Sequence, residues 1–177
     1  MSSEFLVHAT GLAALFVNLC SLLCRCDVAM RRQSVFAGVL WALNNVLLGA
    51  HSAAALSVVS ASRTATSAST LDRGRSARRN AFVLFLAITV SVALLTWGGW
   101  ASSLTLVASV MSTYAMFYLD GARLRLSMLA VSALWMANAW QYGSWEQMEA
   151  NLLSAAAAAY GAWVLRHQPR RSRVSST

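Results

Sequence analysis

The fold is decided by a pattern that occurs twice, LWALNNVLLG at residues 40–49 and LWMANAWQYG at residues 134–143. A shift of 94 residues aligns Leu-Trp, Asn and Gly in the two stretches, and it also brings Arg31 onto Arg125 and Ser60 onto Ser154. An Ala- and Ser-rich chain matches itself easily by chance, but Trp and Asn are uncommon in apolar segments. We therefore interpret the pattern as an internal duplication.

Apolar runs bounded by charged residues surround both stretches. The hydrocarbon core of a bilayer is about 30 Å thick and requires about 20 helical residues, and a helix satisfies its own backbone hydrogen bonds there. The sequence therefore predicts an all-α membrane protein of about seven transmembrane helices. The predicted helices cover residues 4–24, 33–50, 53–70, 80–98, 101–119, 124–141 and 146–166.

The composition of the 177-residue chain agrees with a lipid-exposed surface, since 58% of its residues are hydrophobic and 11% are charged. Soluble domains usually carry about 25% charged residues. The net charge of +8 could indicate nucleic-acid binding, but the 14 arginines lie in short clusters between apolar runs. They form no single basic face. We therefore expect the lipid bilayer, and not nucleic acid, as the partner of this surface.

The third predicted helix, AAALSVVSASRTATSAST at residues 53–70, is rich in Ala, Ser and Thr. Such residues suit a helix enclosed by its neighbours, and a re-entrant or surface segment is the alternative. The arginines favour a full span, because counting it places all of them on one side of the membrane. The positive-inside rule then predicts a multi-pass protein with its N-terminus outside the cytoplasm and its C-terminus inside.

An even number of spans separates the two copies, so both copies have the same orientation and form parallel repeats related by an axis along the membrane normal. The first three-helix repeat covers residues 4–70, and the second covers residues 99–166. Between them, residues 71–98 hold an Arg-rich cytoplasmic loop and a linker helix. Residues 167–177 are predicted to form a basic cytoplasmic tail.

Each copy places a tryptophan and polar side chains at helical spacing, in segments where lipid disfavours polar groups. Two such walls could line a central pocket for a neutral, polar, ring-bearing or sugar-like molecule, because Trp offers a flat apolar face and Asn offers donors and an acceptor. Hydrogen bonding between helices explains the same residues equally well. The candidate substrate-binding residues are Trp41, Asn44, Ser57, Ser60, Trp135, Asn138, Asn151 and Ser154.

Three charged positions have a local explanation. Arg63 lies inside the third predicted helix. A buried arginine there could bind an anionic group, but we expect its side chain to snorkel to the membrane interface. Asp27 and Asp120 flank the same predicted cytoplasmic surface as Arg31 and Arg125, and we expect ion pairs in loops.

No catalytic or metal-binding pattern accompanies these features. Cys20, Cys24 and Cys26 end the first apolar run with no His beside them, which favours reduced thiols over a metal site or an acylated cysteine. The chain has no Gly-rich phosphate loop and no hydrolase or metalloprotease motif. We therefore expect neither an enzyme nor a cofactor.

Residues 32–67, RQSVFAGVLWALNNVLLGAHSAAALSVVSASRTATS, resemble the YgjV-type bacterial inner-membrane proteins. The residues that carry the resemblance are Gln33-Ser34, Leu47-Leu48-Gly49, Arg63-Thr64 and, in the second half, Leu134 to Asn138. The resemblance implies a location in the bacterial inner membrane more than any chemistry. The three-plus-one-plus-three layout is also similar to transporters of the SWEET and PnuC types, which implies transport of a small solute. SWEET-type repeats carry hinge prolines, whereas the single proline here is Pro169.

The sequence thus predicts a transporter or facilitator that moves a small polar solute through a central pathway between the two bundles. The alternative is a non-transporting scaffold or assembly partner. Small residues such as Ala155–Ala159 would then pack helices between subunits. A homo-oligomer is compatible with both readings, and the sequence favours no particular substrate or coupling ion.

Overall fold

The structure, a computed structural model, describes residues 3–47, 51–71, 73–95, 97, 100–141 and 145–167. Within these residues the chain forms seven helices and no strand, and each predicted span overlaps one helix. The helices are α1 (Ser3–Leu23), α2 (Asp27–Leu47), α3 (His51–Ser69), α4 (Arg75–Leu95), α5 (Trp100–Tyr118), α6 (Gly121–Gln141) and α7 (Trp145–His167).

All seven helices begin earlier than the apolar runs predict, and three of them begin earlier by three to six residues. α2, α4 and α6 start at Asp27, Arg75 and Gly121, so that arginines preceding the predicted helices lie in the first two turns of the observed ones. A cluster of charged residues does not end a helix, because Arg is a good helix former and an acidic residue such as Asp27 favours a helix N-terminus. Gly121 has a φ of +58°, which only glycine adopts readily, and this allows the tight turn from α5 into α6.

The helices pack as two triplets with α4 on the outside. α2 packs between α1 and α3, and α6 packs between α5 and α7. The triplets meet where α1 contacts α7 and where α3 contacts α5. α4 packs mainly on α5, where the Phe82 ring lies 5.1 Å from the Tyr118 ring in an edge-on arrangement.

The hydrophobic core is small and lies where the two triplets meet. Leu22 of α1, Met30 of α2, Ala115 of α5, Leu124 of α6 and Ala158 of α7 belong to one buried cluster. It surrounds the ends of α1 and α5 and the beginnings of α2 and α6. This location matters for the charged groups described below, which lie against the same cluster.

Large apolar side chains face outward, which reverses the pattern of a soluble protein. Leu12 and Phe16 are each 68% exposed, and Leu95 is 86% exposed. Phe5–Leu23 and Arg75–Leu95 are long and apolar enough to cross a membrane, and only 17% and 6% of their most apolar windows are buried within the protein. An exposed apolar surface of this kind requires lipid or another protein to cover it.

Candidate functional site: a cleft with a buried arginine

A partly open cleft of about 220 Å³ lies between α3, α4, α5 and α6. Because α3 belongs to the first triplet and α5 and α6 belong to the second, the cleft lies at the contact between the two triplets. One part of its lining is apolar, and the other part consists of hydroxyl groups beside a single cation. The apolar lining residues are Leu56, Val59, Val92, Ala93, Leu106 and Trp135; the polar ones are Ser60, Arg63, Thr89, Thr105, Ser109 and Ser112.

The Arg63 side chain joins α3 to α5 at this cleft, and the residue is only 8% exposed. Its Nη1 donates to Thr113 Oγ1 at 2.9 Å and to the Ser109 carbonyl at 3.4 Å. Its Nη2 donates to Ser112 Oγ at 2.9 Å and to Ser60 Oγ at 3.1 Å. Its Nε is buried without a hydrogen-bond partner. All four acceptors are neutral oxygens.

The expectation that Arg63 snorkels to the interface is therefore wrong. Snorkelling is favoured when water offers the only good acceptors, but α5 supplies Ser109, Ser112 and Thr113 at the depth of the guanidinium. The sequence does contain these hydroxyls, at positions that share one face of a helix. Nothing in the sequence indicates that this face of α5 packs against α3.

Two of the eight predicted site residues, Ser60 and Trp135, line this cleft. Ser60 comes from the first triplet and Trp135 from the second. Trp135 also packs against the buried hydrophobic cluster, so its ring contributes to the wall from a fixed position.

Three other predicted residues make hydrogen bonds between neighbouring helices. Asn44 Nδ2 on α2 donates to the Val7 carbonyl at 2.6 Å and to Thr10 Oγ1 at 3.0 Å, both on α1. Ser57 Oγ on α3 accepts from Asn45 Nδ2 on α2 at 3.2 Å. Ser154 Oγ on α7 accepts from Asn18 Nδ2 on α1 at 3.0 Å. Hydrogen bonding between helices, the alternative to a solute pocket, therefore accounts for these three residues.

The remaining three predicted residues lie outside the cleft lining. Trp41 and Asn151 are half-buried, on α2 and α7. Asn138 is buried on α6, and its Oδ1 has no hydrogen-bond partner. Solute binding by these eight residues stays a prediction.

Two further arginines are completely buried. Arg31 precedes the second predicted helix and Arg125 is at the start of the sixth, and for both we expected only ion pairs in loops. Arg31 lies on α2, and its guanidinium reaches the end of α5. Its Nη2 donates to the Leu119 carbonyl at 2.9 Å and to Asp120 Oδ1 at 3.1 Å. Its Nε and Nη2 both donate to the Met116 carbonyl, at 3.3 and 3.2 Å. Arg31 therefore caps the C-terminal end of α5 from within the protein.

Arg125 on α6 makes the corresponding contacts with the end of α1. Its Nη1 donates to Asp27 Oδ1 at 2.6 Å and to the Gly121 carbonyl at 2.9 Å, and its Nη2 donates to the Cys24 carbonyl. Asp27 Oδ2 also accepts from the Gly121 backbone N–H at 2.6 Å. The expected ion pairs between these aspartates and arginines are present. Each pair joins one triplet to the other, and its arginine is buried.

An all-helical chain with an apolar exterior, two of whose helices are long and apolar enough to cross a membrane, is typical of a helical membrane protein. The chain belongs to the Imp-YgjV family of bacterial inner membrane proteins, whose family model matches residues 5–167. Searches of curated proteins and of solved structures gave no significant match.

Proposed function

We propose that all seven helices cross the inner membrane and that the protein moves a small polar solute through the cleft between α3, α4, α5 and α6. Helix length supports the spanning arrangement. The helices have 19 to 23 residues, and at 1.5 Å per residue they are about 29 to 35 Å long. That length matches a hydrocarbon core of about 30 Å.

The packing of the triplets supports two parallel repeats. The shift of 94 residues converts α1 into α5 and α3 into α7, and it therefore converts the α1–α7 contact into the α5–α3 contact. It also converts Arg31 into Arg125, and each of these residues reaches the other triplet. Reciprocal contacts of this kind are expected when an axis along the membrane normal relates the repeats.

The single observation that carries the transport proposal is the position of the cleft. It lies between α3 of the first repeat and α5 and α6 of the second, where rocking of one bundle against the other would open it to either side. Polar groups between membrane-spanning helices are costly and usually mark a solute or ion pathway.

The test is solute uptake into liposomes that contain the purified protein. A blocking substitution, Thr105→Phe, adds a ring to the cleft wall, because Thr105 lines the cleft and its hydroxyl bonds only within α5 among the contacts described. The matched control is Val107→Phe, on the outward face of the same helix with a side chain 48% exposed. We expect T105F to abolish uptake and V107F to retain it.

The screen should contain sugars, nucleosides, vitamins and small organic acids. Absence of uptake for every solute, with a correctly folded protein, would overturn the transport proposal and favour the assembly-partner alternative. Equal uptake by T105F and the parent protein would show that the solute takes another route.

A further inference from the structure

We propose that the cleft binds a small organic monoanion, a carboxylate with a short apolar body, and that Arg63 is its charge partner. This inference rests on the proposed function for its place in a pathway. It has its own test by equilibrium binding, because the charge and the cavity are present whether or not the protein transports.

The charge of Arg63 is not compensated within the described part of the chain. Arg31 and Arg125 are buried more completely, but each has a carboxylate partner, Asp120 or Asp27. Each of the three arginines keeps one nitrogen without a hydrogen-bond partner. Arg63 differs because all the oxygens that accept from it are neutral. A buried cation without a counter-charge is costly, and an anion in the cleft would remove that cost.

The hydroxyls beside Arg63 are able to donate to such an anion. Ser60 and Ser112 each accept a hydrogen bond from the guanidinium, so their own hydroxyl hydrogens are available for another acceptor. Thr113 is different, because its hydroxyl already donates to the Ser109 carbonyl at 2.7 Å. Ser60, Arg63 and Ser112 all line the cleft, so an oxyanion there would find two hydroxyl donors beside a positive charge, whereas a cation would be repelled by that charge.

The size and the apolar wall restrict the rest of the molecule. The cleft has a volume of about 220 Å³. Drug-sized pockets begin at about 300 Å³, so this cleft suits a compound with few non-hydrogen atoms. Leu56, Val92 and Trp135 contribute apolar surface, which favours a hydrocarbon or aromatic body. A single uncompensated charge favours a monoanion over a dianion.

The first experiment measures binding to the full chain in detergent by thermal stabilisation and titration calorimetry. The probes are acetate, propionate, butyrate and benzoate, with propionamide and butyramide as neutral isosteres and with succinate and inorganic phosphate as anions of other shapes. A ligand that binds only the folded state raises its stability in proportion to the logarithm of ligand concentration over Kd. We expect stabilisation by at least one monocarboxylate and none by its amide.

The variant Arg63→Gln removes the charge, and Arg166→Gln removes an arginine from an exposed position on α7. We expect R63Q to weaken carboxylate binding at least about tenfold, the lower end of the effect of a hydrogen bond to a charged group, and R166Q to leave it unchanged. If R63Q does not fold, Ser112→Ala tests the same site with the charge retained, and we expect binding about fivefold weaker.

The outcomes separate the two proposals. Amides that bind as tightly as carboxylates, or R63Q with unchanged carboxylate affinity, would overturn the monoanion assignment. Preference for phosphate or succinate over every monocarboxylate would overturn it as well. Uptake of neutral solutes but not carboxylates would retain the transport proposal and reject this one. Carboxylate binding that depends on Arg63, without uptake of any solute, would retain the monoanion proposal and reject the transport proposal.

Discussion

Arg31 and Arg125, which lie 94 positions apart, each place a buried guanidinium on the C-terminal end of the first helix in the opposite triplet. The last carbonyls of a helix lack intrahelical partners and carry the negative end of the helix dipole. A guanidinium satisfies both, because it is a cation with five N–H donors. The two arginines therefore tie the triplets together at one end of the bundle.

The two arginine contacts should differ in their effect on stability, because their aspartates differ in exposure. The side chain of Asp27 is 22% exposed, whereas that of Asp120 is 61% exposed. Arg125→Met leaves a partly buried carboxylate without a partner, and we expect it to lower the free energy of unfolding by about 4 kcal/mol. Arg31→Met leaves Asp120 in water and should cost about 2 kcal/mol.

The measurement is denaturant unfolding in mixed micelles, with the aspartates as controls. Asp120→Asn should have a small effect, about 0 to 1 kcal/mol, as expected of an exposed ion pair. Asp27→Asn should cost more, because Asp27 also accepts from the Gly121 N–H. A larger loss for R31M than for R125M would contradict this account.

Gly161 should be intolerant of any side chain. A Cβ built at this position lies 2.5 Å from the Leu22 carbonyl oxygen and 3.2 Å from Cδ of Arg125. The first of these neighbours is backbone, so α1 and α7 would have to separate. We expect Gly161→Ala to lower the free energy of unfolding by about 3 kcal/mol, at the upper end of the cost of overpacking, with a matching fall in Tm.

Gly74 supplies the matched control, since a Cβ there has no atom within 4 Å and its φ is not positive. Gly74→Ala should leave the melting temperature unchanged within a degree or two. If G161A is equally harmless, the close approach of α7 to the end of α1 is not as described.

Helix positions could be predicted from the sequence because lipid imposes a simple rule. A bilayer span requires an apolar run of about 20 residues, and each of the seven runs found by that rule overlaps one helix in the structure. The starts of α2 and α6 were predicted too late, at residues 33 and 124 instead of 27 and 121, because the charges around Arg31 and Arg125 were taken to mark the boundary of a loop. Their helical position required knowledge that another helix would supply the partners.

The candidate site was predictable only in part, because its members come from helices whose neighbours the sequence does not specify. Ser60 and Trp135 lie on the cleft, but Asn44 bonds to α1. Arg63 was recognised as unusual, yet its burial depends on Ser112 and Thr113, which follow it by about fifty residues. Helical spacing identifies which residues share a face, and tertiary packing decides what that face meets.

Reporter fusions should place residue 76 and the C-terminus in the cytoplasm and residues near 51 and 143 outside it. Arg75, Arg78 and Arg79 lie in the first turns of α4, and the positive-inside rule keeps such clusters in the cytoplasm. A cytoplasmic fluorescent reporter and a periplasmic phosphatase at each site give opposite signals. Phosphatase activity at residue 76 would place that residue outside the cytoplasm. The chain would then cross the membrane one time fewer before residue 76, and the parallel-repeat arrangement would be wrong.

The shift of 94 residues aligns Asn44 with Asn138, but replacing each by Leu should have different effects. Asn44→Leu removes two hydrogen bonds to α1, and we expect it to cost about 1 to 2 kcal/mol of unfolding free energy. Asn138→Leu removes an amide whose buried Oδ1 has no partner, so the change should be neutral or slightly stabilising. Unfolding in mixed micelles checks both variants, and solute uptake in liposomes is measured alongside.

Because neither residue lines the cleft between α3 and α6, uptake by the folded variants should be unchanged. Loss of uptake in both variants with unaltered stability would instead favour the two-walled pocket predicted from the repeat.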